Sequence, residues 1–388
     1  MTMAADKQDK VLNVPTLRFP EFTDEWELHP TTDFFEFKNG LNPDSKRFGS
    51  GTKFISVMDI LNNRYITYDK IKAFVEPKGN DLNEFGVNYG DVLFQRSSET
   101  LEDVGRANVY LDKKTALFGG FVIRGKKIGE YNPLFFRYLL SSPHARKRIV
   151  VKGAGAQHFN IGQDGLSKIS IFVPTTKEQE RIAKLLDLID ERIETQNRII
   201  EDLKQLRSAL YYQIFSNIQG NWVTLKMVGD IAKGKQINGS ELLDEGMYYV
   251  MNGGITPSGY YNNYNTPANT ISISEGGNSC GYVQYNSVPF WSGGHCYNLR
   301  IKKSFDSQYI FHFLKFKELD IMALRIGSGL PNIQKKDLEH FQVLVPDFTT
   351  QKKVAGLFVL INKKEETEMK LMNAWKMQKK YLLQKLFI

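Results

Sequence analysis

Two stretches of the chain carry a long alternation of apolar and polar residues at helical period. From Thr176 to about Ser216 there is neither Gly nor Pro, Thr176 is placed to cap, and Pro174 lies just outside. Ile182, Ile189, Leu203 and Leu210 fall on one position of a seven-residue repeat. Leu185, Ile199 and Leu206 fall on another, and Arg192, Gln196 and Gln213 interrupt the seam. The pattern returns 172 residues later, with Val354, Ile361, Trp375 and Leu382 on one position and Leu357 and Leu371 on the other. There the interruptions are Lys364, Glu368 and Lys385. Long helices are therefore predicted over 176–217 and 348–388. Forty helical residues span roughly 60 Å, and a seam of that length is not stable alone in water. The simplest partner of each helix is the other, paired antiparallel as a coiled coil.

The remaining segments change period. Phe54-Ile55-Ser56-Val57 and Asp91-Val92-Leu93-Phe94 are short apolar runs bounded by turn residues, as strands are. Ala116-Leu117-Phe118 and Phe121-Val122-Ile123 flank Gly119-Gly120, a hairpin or bulge signal. Residues 132–150 read as a helix, with Pro133 in its first turn. Tyr248–Val250, Thr270–Ile273 and Tyr297–Ile301 are strand candidates and Gln308–Leu319 a helix candidate. Strands and helices intermix in this way in the α+β class.

The whole arrangement is duplicated. Adding 172 to Asn160-Ile161, Leu166, Val173-Pro174, Gln179, Ala183 and Ile189 gives Asn332-Ile333, Leu338, Val345-Pro346, Gln351, Ala355 and Ile361 without a gap. Upstream the offsets differ, as loop insertions require: Gly119-Gly120 corresponds to Gly293-Gly294 and Trp26 to Trp222. Each half thus opens at a Trp and closes with a G-x-G loop, an Asn-Ile and a short strand ending Val-Pro. A long helix follows. The chain divides into a flexible N-terminus (1–16), a first globular domain (17–175), a first long helix (176–217), a second globular domain (218–347) and a second long helix (348–388). Two similar readers suit a two-part ligand.

Composition narrows the setting. Lys and Arg number 51 against 43 acids, a net charge of +8, which is compatible with phosphate contact. No run of eighteen apolar residues occurs and residues 1–10 lack the apolar region of a secretory signal, so a cytoplasmic protein with no membrane partner is expected. The two cysteines, Cys280 and Cys296, form no disulfide framework and no CxxC zinc motif.

At this point the chain resembles the specificity subunit of type I restriction–modification systems. The features that carry the resemblance are the tandem plan, the opening Leu17-Arg18-Phe19-Pro20-Glu21-Phe22 with Trp26, and Tyr89-Gly90-Asp91-Val92-Leu93-Phe94. The junctions Asn160…Glu178-Gln179-Glu180-Arg181-Ile182-Ala183 and Asn332…Gln351-Lys352-Lys353-Val354-Ala355 complete the set, with Thr350 standing opposite Glu178. The resemblance covers about the whole chain. It implies two target-recognition domains separated by two helices, double-stranded DNA as ligand, and modification (methyltransferase) and restriction (translocase–nuclease) subunits as partners. It also implies S-adenosylmethionine, ATP and magnesium on those partners, with no cofactor on this chain.

The chain's own residues offer little chemistry. There is no phosphate-loop motif G-x-x-x-x-G-K-[ST] and no H-E-x-x-H. Asn132-Pro133-Leu134-Phe135 lacks the second proline of the amino-methyltransferase motif and reads as a helix start. Asp91, Glu99 and Lys113 form at best a loose imitation of a nuclease metal site. Neither a catalytic nor a metal residue is assigned. Base reading instead needs Arg, Asn or Gln at groove edges, with Lys and Arg on phosphates. In the first domain the candidates are Gln95, Arg96, Ser97 and Ser98, with Lys46, Arg47, Lys53, Arg64 and Arg106 nearby. In the second they are Lys233, Lys235, Gln236, Asn238, Ser274, Asn278 and His295. Glu275-Gly276-Gly277-Asn278 and Gly327-Ser328-Gly329 are candidate phosphate cradles or plain turns. A coiled-coil adaptor that binds only proteins, and a self-sufficient DNA-modifying enzyme, are the competing readings.

Overall fold

The computed structural model describes residues 12–155, 158–327, 329 and 331–388. The α+β class holds. The chain forms two compact units, one made of the residues up to Gln196 together with Leu371–Ile388, the other of Asn197–Lys370.

In the first unit a four-stranded antiparallel sheet has the order Phe35–Asn39, Val122–Lys127, Val92–Gln95, Ala107–Val109. A second sheet runs Phe74–Val75, Phe48–Ile55, Ala116–Phe118, Gly86–Val87, its two middle strands parallel. A two-stranded ribbon pairs Glu27–Pro30 with Ser170–Val173. The second unit repeats the plan. Its four-stranded sheet has the order Gly229–Lys233, Cys296–Ile301, Thr270–Ser274, Val283–Asn286, its other sheet pairs Tyr248–Met251 parallel to Trp291–Ser292, and its ribbon pairs Asn221–Thr224 with Gln342–Val345.

Local chemistry corrects several expectations. Gly119-Gly120 is neither a hairpin nor a bulge: it carries the chain from the sheet containing Ala116–Phe118 to the one containing Val122–Lys127. The crossing is tight, since a Cβ on Gly40 would lie 2.0 Å from the Gly119 carbonyl oxygen. The helix over 132–150 is two helices, Pro133–Ser141 and Pro143–Val150. Pro143 holds Ser142 extended (ψ 149°), and the Ser142 hydroxyl then caps the next helix by accepting from Ala145 N. The helix expected over 308–319 is Ser307–Phe316 followed by Glu318–Met322, broken at Lys317. Residues 12–16 are part of the fold: Asn13 O accepts from Trp26 N at 2.8 Å, Pro15 is buried, and Leu17 N donates to Lys385 O at 2.9 Å. Residues 1–11 lie outside the described residues.

The long helices are Thr176–Asn217 and Phe348–Lys385. One column of the expected seam is right: Ile182, Ile189 and Leu382 are buried, as are Val354 and Ile361. Leu203, Leu210 and Trp375, from the same column, are half-buried. The other column lies one residue further along. Leu186, Ile200, Phe358 and Leu386 are buried, whereas Leu206, Leu357 and Leu371 are 49%, 38% and 44% exposed, and Leu185 and Ile199 are half-buried. An apolar flank beside the true seam produced that shift. The corrected seam alternates steps of four and three residues, and the burial pattern repeats at the 172-residue offset.

Within each unit the two helices run antiparallel and share one polar device. In the first unit Lys379 Nζ bonds Asp190 Oδ1 (2.5 Å), and Asp190 also accepts from Arg137 (3.2 Å) and Tyr138 (2.9 Å). In the second, Arg207 bonds Glu365 (2.6 Å) and Asn362 (3.2 Å). Lys379 corresponds to Arg207, and Asp190 to Asn362. Helix ends also close the cores. Leu382, Leu386 and Phe387 join the first, with Phe387 edge-on to Trp26 at 6.2 Å, and Phe215 joins the second beside Phe313 and Phe358.

Each junction between strand and long helix is clasped by a glutamine. Gln179 Nε2 donates to Pro174 O and Oε1 accepts from Asn132 N, each at 2.9 Å; Gln351 does the same with Pro346 O and Asp306 N. Glu178 has a role that Thr350 does not reproduce. Its two oxygens accept from Arg18 Nε (2.8 Å) and Nη2 (2.7 Å), and one takes the Trp26 indole N–H (3.3 Å). The bond to Glu178 raises the Arg18 pKa. The ribbon registers correct one expected correspondence: Glu27 lies opposite Val173 and Asn221 opposite Val345, so Trp222 stands at the position of Leu28, not of Trp26, and is exposed as Leu28 is (58% and 55%).

His312, on the helix packed against the second core, is buried and bonds Tyr211 OH through Nδ1 at 2.8 Å. Burial, and secondarily the Arg207 charge, pushes its pKa down to about 3 from 6.5. A depressed folded value means that stability is complete above the unfolded pKa and declines as pH falls from about 6.5 toward 3. The second unit should therefore lose up to about 1.4 kcal/mol per pH unit across that window from this group. Urea midpoints at pH 7 and pH 4.5 should converge in His312→Phe relative to wild type. An unchanged pH dependence in that variant would assign the acid sensitivity elsewhere.

Candidate nucleic-acid interface

At one end of each four-stranded sheet the same corner is built twice. In the first unit Arg96 follows strand Val92–Gln95; its N–H donates to Phe121 O (2.9 Å) and its carbonyl accepts from Ile161 N (2.9 Å). In the second unit Glu275 follows strand Thr270–Ser274; its N–H donates to His295 O (2.9 Å) and its carbonyl accepts from Ile333 N (2.8 Å). Asn160 and Asn332 close the corners by reciprocal bridges to Ala154 and Ile326. The Asn-Ile word of the repeat is thus the backbone brace of this corner.

The first corner gathers the expected Gln95, Arg96, Ser97, Ser98 and Arg106. Ser97–Ser98 pairs with Phe159–Asn160, and Ser97 Oγ donates to Asn160 Oδ1 (2.5 Å). Gln95 N donates to Arg106 O (2.8 Å). Gln95 itself is 6% exposed, with its amide on Ser97 O, so it shapes the turn and cannot reach a base edge. Arg106 is half-exposed and paired with Asp103 (2.6 Å). Phe121, which sequence reading did not single out, stands 70% exposed beside Arg96.

The other basic candidates of this domain go elsewhere. Arg47 binds Glu76 O (3.0 and 2.7 Å) and Asp81, and Lys53 is spent on Ile71 O (2.6 Å) and the Phe74 ring (3.9 Å). Arg64 binds Asp187 Oδ1 from Nε (2.9 Å) and the Asp187 carbonyl (3.0 Å), with Glu194 at 3.7 Å. Burial opposes its charge, but the bond to Asp187 raises its pKa overall. It braces the first long helix and is withdrawn as a DNA contact. Lys46 is exposed on a turn.

In the second unit Lys233, Lys235, Ser274 and His295 converge. Lys233 Nζ bonds Glu275 Oε1 (2.6 Å), Lys235 N donates to Ser292 O (2.9 Å), and His295 N donates to Asn252 Oδ1 (3.2 Å). Ser274 is 4% exposed with its hydroxyl on Gly253 O (2.6 Å), so it too is structural. Gln236 and Asn238 are exposed, and Asn238 caps the turn Gly239–Glu241. Asn278 is exposed after Gly277, whose φ of 74° fits a turn. Of the other glycine word, Ser328 lies outside the described residues.

The loose metal triad does not assemble. Asp91 is 2% exposed and accepts from Asn88 N and Lys127 N, both at 2.9 Å; burial raises its pKa. It fixes a turn, and no group of His, Cys, Asp and Glu among the described residues is arranged to hold a metal. Asn132 caps a helix by accepting from Phe135 N, with Pro133 in the first turn. Cys280 and Cys296 are buried free thiols, and burial pushes the Cys296 pKa up to about 11. No helix among the described residues is long and apolar enough to cross a membrane.

The duplicated corners have relatives. Residues 23–205 and 220–374 each match the type I restriction modification DNA specificity domain. The chain belongs to that family. Among similar proteins, the putative type I restriction enzyme MjaX specificity subunit of Methanocaldococcus jannaschii is 23% identical over 376 residues, 86% of each chain. A putative type I specificity subunit of Mycoplasma genitalium is 26% identical over 270 residues, covering 65% of this chain and 70% of that one. The crystal structure of a type I restriction–modification S subunit from M. genitalium shares the fold. Its TM-score is 0.67 at 20% identity, over 97% of this chain and 99% of that one.

Two substitutions separate brace from surface. Arg64→Ala should lower stability by about 3 kcal/mol, because it strands a partly buried carboxylate. Lys46→Ala should stay within about 0.5 kcal/mol of wild type. Chemical unfolding followed by tryptophan fluorescence measures both, and equal effects would contradict the assignment.

Proposed function

We propose that the chain is the DNA-reading specificity subunit of a type I restriction–modification complex. In this reading each unit recognises one half of a bipartite, asymmetric double-stranded site, and the long helices set the spacing between the halves. The observation that carries it is the corner built twice on one backbone plan with different side chains. Duplication of the frame keeps the docking geometry, and divergence of the side chains gives two different half-sites.

The chain itself is non-catalytic in this reading. Modification subunits carry S-adenosylmethionine and methylate adenine, and restriction subunits bring ATP and magnesium. Exposed apolar side chains along the long helices offer a surface for such partners. Leu188 and Tyr212 on the first helix, and Leu360, Met377 and Tyr381 on the second, are each more than half exposed. A protein-only adaptor would share that surface but would show no salt-sensitive DNA binding.

Co-expression with its modification partner in a host lacking adenine methylation, followed by genome-wide mapping of methylated adenine, tests the reading. A split motif with a fixed spacer is expected. A stable complex that methylates nothing would overturn it, and DNA modification by the purified lone chain would favour a self-sufficient enzyme. Inserting four residues after Gln196 should change the tolerated spacer or abolish methylation. An unchanged spacer would remove the helices as its determinant.

A further inference from the structure

Arg96 and Glu275 occupy the same backbone position in the two units, as their matching amide and carbonyl bonds establish. Their side chains carry opposite charge. Arg96 is half-buried and donates from Nη1 to Gly120 O over a long 3.3 Å, with no ion pair to any described residue. Nε and Nη2 donate to no described residue. Glu275 is 14% exposed, and its Oε1 accepts from Lys233 (2.6 Å) and the Tyr297 hydroxyl (3.1 Å). Its Oε2 has no hydrogen bond to a described residue.

The neighbour changes with the charge. Lys233 pairs across the sheet with Tyr297, and the equivalent strand position in the first unit is Asn39, which pairs with Ile123. A carboxylate beside a phosphate backbone is repelled unless a cation neutralises it. The second unit supplies that cation and the first does not need one. An acid kept at this place with its own lysine matches the requirement of base reading, in which Arg donates to guanine O6 and N7 and Glu accepts from the amino group of cytosine.

Resting on the reading above, we propose that Arg96 and Glu275 are matched specificity positions. Arg96 takes the major-groove edge of a guanine in one half-site, and Glu275 takes the exocyclic amine of a cytosine in the other. Each half-site then contains a G·C pair, read from its guanine in the first and from its cytosine in the second. Lys233 is a positioning residue that neutralises Glu275 and holds its Oε2 toward the groove.

The test uses the assembled methyltransferase complex with wild-type chain, Arg96→Ala and Glu275→Gln. Methylated motifs are mapped, and binding is measured on duplexes carrying single base-pair changes or 7-deazaguanine. Arg96→Ala should relax one G·C position in one half-site by roughly 5- to 150-fold and leave the other half unchanged. Glu275→Gln should do the same in the opposite half only. Removing guanine N7 should weaken wild-type binding in the half that Arg96→Ala relaxes, and not at the position that Glu275→Gln relaxes. A variant that loses methylation altogether is read by binding: uniform weakening on every duplex overturns the proposal. A wild-type split motif with no G·C pair in one half, or with variants that keep it, overturns this assignment and leaves the function standing. A wild-type complex with no split motif overturns the function, and this assignment with it.

Discussion

Each globular core is closed by the end of a long helix, and the rest of the structure depends on that closure. Trp26 is 2% exposed because Phe135 and Phe387 meet its faces, and Phe387 lies beyond the second long helix. Phe215, at the end of the first helix, fills the same role among Tyr309, Phe313 and Phe358. Without these ends each core would expose large aromatic surface, at roughly 25 cal/mol for every Å² returned to water. A long helix therefore gains stability by reaching a core as well as through its own seam.

An apolar seam with a regular repeat can slip by one heptad without changing its chemistry. The polar positions remove that freedom. Asp190, Gln196, Glu365 and Glu368 are all under 9% exposed, a costly placement unless each finds its partner. Asp190 is satisfied by Lys379, Arg137 and Tyr138 together, and Glu365 by Arg207. Burial pulls the Lys379 pKa down while Asp190 opposes the shift. The basic residue, Lys379 or Arg207, sits at the equivalent position in both units and meets the equivalent Asp190 or Asn362, while the second unit adds Glu365 at the position of Ile193.

The duplicated frame and the divergent corner follow from one separation of tasks. Backbone bonds from the Asn-Ile word and the ends of the strands build the corner, and they are indifferent to the side chain at Arg96 or Glu275. That position can change without disturbing the sheet behind it, which suits a family whose members are specificity domains. The junction behaves differently. Gln179 and Gln351 are held to one role by two backbone bonds each, whereas Glu178 and Thr350 have diverged: Glu178 holds Arg18 and Trp26, and Thr350 bonds Asp347.

The sequence by itself determined the tandem plan, the two long helices, one column of their seam and the class of the fold. These follow from local period and from self-similarity, which survive in a linear reading. It placed Gln95, Arg96, Ser97, Ser98, Lys233, Lys235, Ser274 and His295 near their corners, because strand ends and glycine turns are local signals. It could not separate Arg64, Arg47 and Lys53 from DNA contacts, since Asp187, Asp81 and the Ile71 carbonyl reach them only through folding. The second seam column failed because an apolar flank one residue away carries the same period as the buried face. The equivalence of Arg96 with Glu275 was invisible because their offset differs from that of the Asn-Ile words. Only shared hydrogen bonds, which the tertiary structure decides, reveal it.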